Sequence, residues 1–234
     1  MEKDNFKKEI IDFIKDLIII VIIVTIIRTF IAEPFQISGQ SMYSSYYDNE
    51  FIIVDRFSYL DIPYIKKWVI KRWDVVVLKP HVDTEKEFFL KRIIGLPGET
   101  LKIKDWEVYI KKVWAKDFVK LNEKYLNKEN KWHTKIGNLT KETIYKIPKW
   151  KYFVMWDNRN HSSDSRTCFS FSCIWTSRDS FIEKKDIVWR VLIDLWYFNF
   201  KKLNFTNPWN HYSETKWIDT HPRFLNHPSS FNYE

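Results

Sequence analysis

Two kinds of hydrophobic pattern divide the chain. From Leu17 to Ile27 the run LIIIVIIVTII is apolar at every position except Thr25. A helix apolar on all sides has no face to offer water, so it belongs inside protein or lipid. These eleven residues, at about 1.5 Å each, fall short of a bilayer core of about 30 Å. Extended over 10–32 the segment has 23 residues and reaches about 35 Å. It then includes Asp12, Lys15, Asp16 and Arg28, near the ends where long side chains reach the interface. The expectation is an uncleaved transmembrane anchor over 10–32, behind a short N-terminal segment, 1–9. A cleaved signal segment would need a small-residue site after the run, and Arg28 and Phe30 stand there instead. A buried helix of a soluble protein is the third reading. Orientation is not set by charge, because residues 1–16 hold four Lys against five acidic residues.

From Glu33 onward the pattern changes to short apolar, β-branched runs: Phe51–Val54, Val75–Leu78, Phe88–Ile94, Val108–Ile110, Tyr152–Met155 and Ile187–Ile193. Turn signals such as Gly95-Leu96-Pro97-Gly98 and Asp157-Asn158 separate them. No sustained helical period follows residue 35. The fold class expected is mainly β: an antiparallel β domain over 33–195, tethered by one N-terminal transmembrane helix. Residues 100–148 are richer in Lys and Asn with weaker strands, and are expected to be a small inserted cap. The tail, 196–234, is rich in Asn, His, Pro and aromatics with little alternation; a loosely ordered or surface-packed segment of unknown role is expected.

Composition narrows the function. The 234 residues carry a formal charge of +8, with an isoelectric point near 9.2. That suits nucleic acid, anionic lipid or a merely basic surface. The anchor and the absence of a clustered basic stripe argue against nucleic acid. Two cysteines, Cys168 and Cys173, exclude a disulfide-stapled miniprotein and a four-cysteine zinc site. The six histidines lack any metal-helix spacing. Neither phosphate-cradling glycine loops nor the G-x-S-x-G elbow occur. No metal or organic cofactor is implied.

What remains is a serine just after the anchor, in Ile37-Ser38-Gly39-Gln40-Ser41-Met42. Where no histidine serves, a lysine can activate a serine, provided that apolar surroundings keep the amine neutral. Lys91 meets that need on paper, because Phe88-Phe89-Leu90 precede it and Ile93-Ile94 follow. Taken alone this is weak evidence, since a strand lysine is most often simply solvated.

Five stretches, in order, strengthen it: Ser38-Gly39-Gln40-Ser41-Met42; Lys71 through Val77; Phe89 through Glu99; Trp156 through Arg166; and Asp186 through Arg190. Together these resemble the boxes of the bacterial type I signal peptidases, membrane-bound Ser/Lys endopeptidases that remove signal peptides from exported proteins. The resemblance covers about residues 10–195. It implies Ser41 as nucleophile, Lys91 as general base and Ser162 as the hydroxyl that orients the lysine. It implies that Phe35, Ile37, Met42, Val77, Phe89 and Leu90 line two small apolar pockets for Ala-x-Ala cleavage sites. Plain barrel core is the alternative for these six. Arg92, Asp157, Asp164 and Arg166 would be scaffold ion pairs. The oxyanion would lean on backbone donors, because Gly39 stands where some relatives carry a hydroxyl. The implied partners are preprotein signal peptides and the lipid bilayer. The implied protein is a monomeric, single-pass enzyme of the cytoplasmic membrane, with its β domain on the outer face. Two rivals are another Ser/Lys peptidase, such as a self-cleaving repressor, and a non-catalytic membrane-anchored relative that only binds.

Two departures from the family stand out. After Met42 the usual Pro-Thr-Leu is absent, and Ser44-Ser45-Tyr46 follow Tyr43. Glycine is also scarce: 4 Gly against 12 Trp, although glycine normally makes up about 7% of a chain. Trp73, Trp156 and Trp189 occupy positions where the family has glycine, and Trp106 and Trp175 stand where a turn glycine would be natural. A gene whose UGA codons specify glycine would produce this pattern when read with UGA as Trp. Genuine interfacial aromatics are the alternative. Cys168 and Cys173 either pair, if the domain lies outside the membrane, or remain two free thiols.

Overall fold

The computed structural model describes residues 2–43, 45–56, 69–79, 88–126, 130, 134, 142–159, 163–171, 180–196, 198–199, 204–205 and 223–224. Ser162, Cys173 and Trp175 lie outside the described residues.

Helix α1 (Glu2–Ile26) passes into a π-helical turn, Ile27–Ile31, and Ala32 already begins the first strand. The expected anchor over 10–32 is therefore not one continuous α-helix. Four charges lie within residues 9–16, and they shorten the uninterrupted apolar part. Among the described residues, no helix is long and apolar enough to cross a membrane. The large side chains from Leu17 to Val24 are nevertheless all about half exposed.

Most of the other described residues are antiparallel β, as the alternation predicts, with short helical turns at Cys168–Phe171 and Lys184–Asp186. The principal sheet contains β1 (Ala32–Gln36), β2 (Phe51–Asp55), β3 (Val75–Leu78) and β4 (Phe89–Gly95). To these it adds β9 (Lys151–Met155), β10 (Ile182–Glu183) and β11 (Ile187–Trp196). Their order is β1-β2-β11-β3-β4-β9-β10. Pro34 is tolerated because β1 is an edge strand, where a missing N–H interrupts no ladder. The unbroken apolar run of β3 reflects burial on both faces. Val75 and Val77 pack with Ile37, Met42, Ile52 and Val54, whereas Val76 and Leu78 face Ile93, Val154 and Ile187.

A second sheet consists of β5 (Thr100–Lys104), β6 (Glu107–Lys111), β7 (Val119–Lys120) and β8 (Glu142–Lys146), ordered β7-β6-β5-β8. In β5, Leu101 and Ile103 are buried while the lysines turn outward. Leu101, Ile103, Val108 and Ile110 share a core with Ile94, Phe153 and Met155 of the principal sheet. The tail contributes β12 (Phe198–Asn199), β13 (Asn204–Phe205) and β14 (Arg223–Phe224). β14 pairs with Ile193 and Asp194 of β11, so this part of the tail extends the sheet instead of lying loosely on it.

Candidate active site

The loop between β1 and β2 presents Ser41. Its base is closed by the Ile37 N–H donating to Glu50 O and the Asn49 N–H donating to Ile37 O, both at 2.8 Å. Gly39 has φ +95°, a backbone state that favours glycine, and its N–H donates to Asp48 Oδ1 at 2.7 Å. Beyond Ser41 the chain closes into a turn without the missing proline. The N–H groups of Ser45 and Tyr46 each donate to Met42 O at 2.9 Å. A hydrogen-bonded turn thus does what a fixed φ would otherwise do.

A cleft of about 630 Å³ opens beside Ser41. Of the six residues expected to line pockets, Phe35, Ile37, Val77, Phe89 and Leu90 line this cleft. Met42 does not; it is wholly buried beside Tyr46 and Val54. Trp189 stacks against Phe88 with ring centroids 5.5 Å apart, and lies 5.0 Å from Phe35.

Lys91 is opposite Val76 in the β3–β4 ladder, and none of its surface is exposed. Its Nζ lies 4.4 Å from the ring centroid of Phe89 and 4.0 Å from that of Trp156. Both rings line the cleft, whereas Lys91 does not. The indole N–H of Trp156 is buried and has no hydrogen-bond partner among the described residues.

The support residues are brought together in pairs. Arg92 donates to Asp157 through Nε (2.9 Å) and Nη2 (2.6 Å), and through Nη1 to Trp73 O (3.0 Å). Burial alone would lower the Arg92 guanidinium, but the Asp157 carboxylate more than offsets this and holds it above its ordinary value. Asp164 accepts from Arg166 and from the backbone N–H of Trp156, the latter at 3.2 Å. The segment carrying these groups is bound directly to the serine loop: the Asn158 N–H donates to Ser41 O at 3.0 Å, and Asn158 Nδ2 donates to Gln40 O at 3.1 Å.

The sequence reading assigned no role to Arg159, which is only 1% exposed. Its guanidinium donates to Glu123 (2.5 Å), the Tyr125 hydroxyl (2.7 Å) and Thr134 (3.2 Å). Its N–H donates to Asn130 Oδ1 at 2.8 Å. Nothing in the Lys- and Asn-rich stretch around Glu123 marks that residue as a buried partner. Cys168 is disulfide-bonded.

Comparison with known proteins agrees with this frame. The family described as signal peptidase, peptidase S26, matches residues 10–196. Signal peptidase I P of Bacillus subtilis subsp. natto is 40% identical over 169 residues, which is 70% of this chain and 83% of that protein. Signal peptidase I T of Bacillus subtilis (strain 168) is 39% identical over 154 residues, covering 65% and 72%. A solved signal peptidase I of Enterococcus faecalis V583 is 26% identical, with a TM-score of 0.38, covering 53% of this chain and 97% of that one. By class, then, the protein is a peptidase. The chain belongs to the signal peptidase family, peptidase S26.

Proposed function

We propose that the protein cleaves signal peptides from exported preproteins after small residues, through an acyl-enzyme on Ser41. One observation carries this reading. Ser41 opens on an apolar cleft, and the wholly buried Lys91 lies against the Phe89 ring in that cleft's wall. In the proposed reaction the Lys91 amine takes the Ser41 Oγ proton as Oγ attacks the scissile carbonyl. The Ser41 N–H donates to the oxyanion. Collapse expels the new amino terminus, which takes its proton from Lys91, and Lys91 then activates the water that frees the acylated serine. Ser162 would orient the lysine. Apolar walls from Phe35, Ile37, Val77, Phe89 and Leu90 suit Ala-sized side chains and also exclude the water that would favour a charged amine. Met42 would back the pocket from beneath.

In this reading residues 10–32 hold the protein at the cytoplasmic membrane, as a single-pass monomer after the short segment 1–9. The exposed apolar surface of Leu17–Val24 supports that role. Residues 33–195 form the catalytic domain on the outer face, with 100–148 as its cap and 196–234 as an accessory tail. Membrane seating of enzyme and preprotein alike raises their effective concentration. One observation favours a binding-only relative, namely the Trp156 ring that covers Lys91. Cleavage of a preprotein with an Ala-x-Ala site by the enzyme and its Ser41→Ala and Lys91→Ala variants decides between them. Activity lost in both variants supports catalysis; equal activity in the Ser41→Ala variant refutes it.

A further inference from the structure

Three tryptophans sit on backbone that suits glycine. Trp73 has φ +77°, Trp106 φ +67° and Trp150 φ +74°. Each occupies a turn position with a recognised demand. Asp105 (φ +50°) and Trp106 are the two residues joining β5 to β6. A two-residue hairpin loop with φ > 0 at both positions is the type I′ turn, whose preferred pair is Asn-Gly or Asp-Gly. Lys71 O accepts from the Asp74 N–H (3.3 Å), and Pro148 O accepts from the Lys151 N–H (3.2 Å). Trp73 and Trp150 are therefore third in four-residue turns, where positive φ marks type II and requires glycine or asparagine.

The chain contains its own control. In Leu96-Pro97-Gly98-Glu99 the Glu99 N–H donates to Leu96 O at 3.2 Å, and the third residue is a glycine with φ +80°. The same turn is thus built once with glycine and twice with the bulkiest side chain available. Nor does burial explain the exposed pair, because Trp106 is 52% and Trp150 82% exposed. A β-turn indole left in water gains nothing that offsets a left-handed backbone.

Position 156 poses a related problem at the site. Its ring lines the cleft, stands 4.0 Å from Lys91 Nζ and buries an N–H with no partner among the described residues. An unsatisfied buried donor is costly, and a ring between an amine and the cleft serves no proton transfer. We propose that the working protein has glycine at positions 73, 106, 150 and 156, from UGA codons, and that the residue at 156 decides whether Lys91 opens onto the cleft beside Ser41. The part concerning 156 rests on the proposed peptidase reading; the part concerning the turns does not.

The test has three arms. Peptide mass mapping of the protein isolated from its own cells reads positions 106 and 156 in the tryptic peptides Asp105–Lys111 and Tyr152–Arg159. Glycine masses are expected, and tryptophan masses overturn the proposal. In recombinant protein carrying all twelve tryptophans, the double variant Trp106→Gly/Trp150→Gly melts about 5 °C higher, because the strain it relieves exceeds the packing lost from the half-exposed Trp106 and the mostly exposed Trp150. A lower melting temperature overturns the claim about the turns. Trp156→Gly increases acetylation of Lys91 by acetic anhydride, mapped by peptide mass, and raises preprotein cleavage by about 10²-fold or more. Unchanged acetylation overturns the role of 156. Increased acetylation with no cleavage by either form leaves this inference standing and refutes the peptidase reading instead.

Discussion

Removing the Asp157 carboxylate is expected to be among the most damaging single changes outside the serine and lysine. Arg92 is 7% exposed and Asp157 wholly buried, and two hydrogen bonds at 2.9 and 2.6 Å join them. A guanidinium cannot lose its proton to escape the interior. Asp157→Ala therefore leaves a buried, uncompensated charge, which destabilises by about 3–5 kcal/mol. Against a total stability of about 5–15 kcal/mol this is a large share. For a domain of this size it corresponds to a fall in Tm of about 6–20 °C. The same change reaches the site, because Asp157 precedes Asn158, whose N–H and side chain bond Ser41 O and Gln40 O. Urea unfolding followed by tryptophan fluorescence measures the first effect, and kcat for preprotein cleavage measures the second. The double change Arg92→Met/Asp157→Leu removes both charges and is expected to recover at least half of the lost stability. A loss under about 1 kcal/mol for Asp157→Ala would refute the reasoning, as would a double variant less stable than the single one.

Other outcomes follow from the same geometry. Asp74 is buried, which pushes its carboxyl from 3.8 up to about 6, although the Lys71 N–H and nearby cations pull the other way. Its folded pKa is thus raised, so the stability it contributes is complete below pH 3.8 and lost as pH rises through about 6. The loss amounts to about 3 kcal/mol, and Asp74→Asn should flatten the urea midpoint across that window. Glu123→Ala strips Arg159 of its buried carboxylate and should cost about 3–5 kcal/mol, read by the same unfolding assay. Gly39→Ala places a Cβ where nothing lies within 4 Å, so only the positive φ opposes it. A stability loss of about 1–2 kcal/mol is expected.

How much of this could be seen in the chain beforehand depended on what each element buries. β3 stood out because both of its faces are covered, and an unbroken run of Val and Leu fills them. β5 looked weak because Lys102 and Lys104 of TLKIK alternate with the buried Leu101 and Ile103, a half-buried pattern diluted by charge. β14 is two residues long and pairs far from its neighbours in sequence, so no local signal marks it. Ser41 and Lys91 were weak candidates on residue type and neighbours alone, and a resemblance singled them out, since an isolated serine and a strand lysine carry little specificity. The cleft walls were partly legible: five of the six expected lining residues line it, but Met42 follows the loop inward. Arg159 and Glu123 could not be paired in advance, because the two residues stand 36 apart in sequence and no local pattern links them. Trp106 was suspect as a turn residue from its Asp neighbour alone; Trp150, between two lysines, was not.

The central claim is that Ser41 becomes acylated only when Lys91 removes its proton. The most direct measurement is an acid-quenched single turnover with a preprotein, followed by peptide mapping of the enzyme. The account predicts the signal peptide's carboxyl end esterified to Ser41, and no adduct in Lys91→Met. An ester at any other residue, or the same yield of Ser41 adduct without the lysine amine, would contradict it.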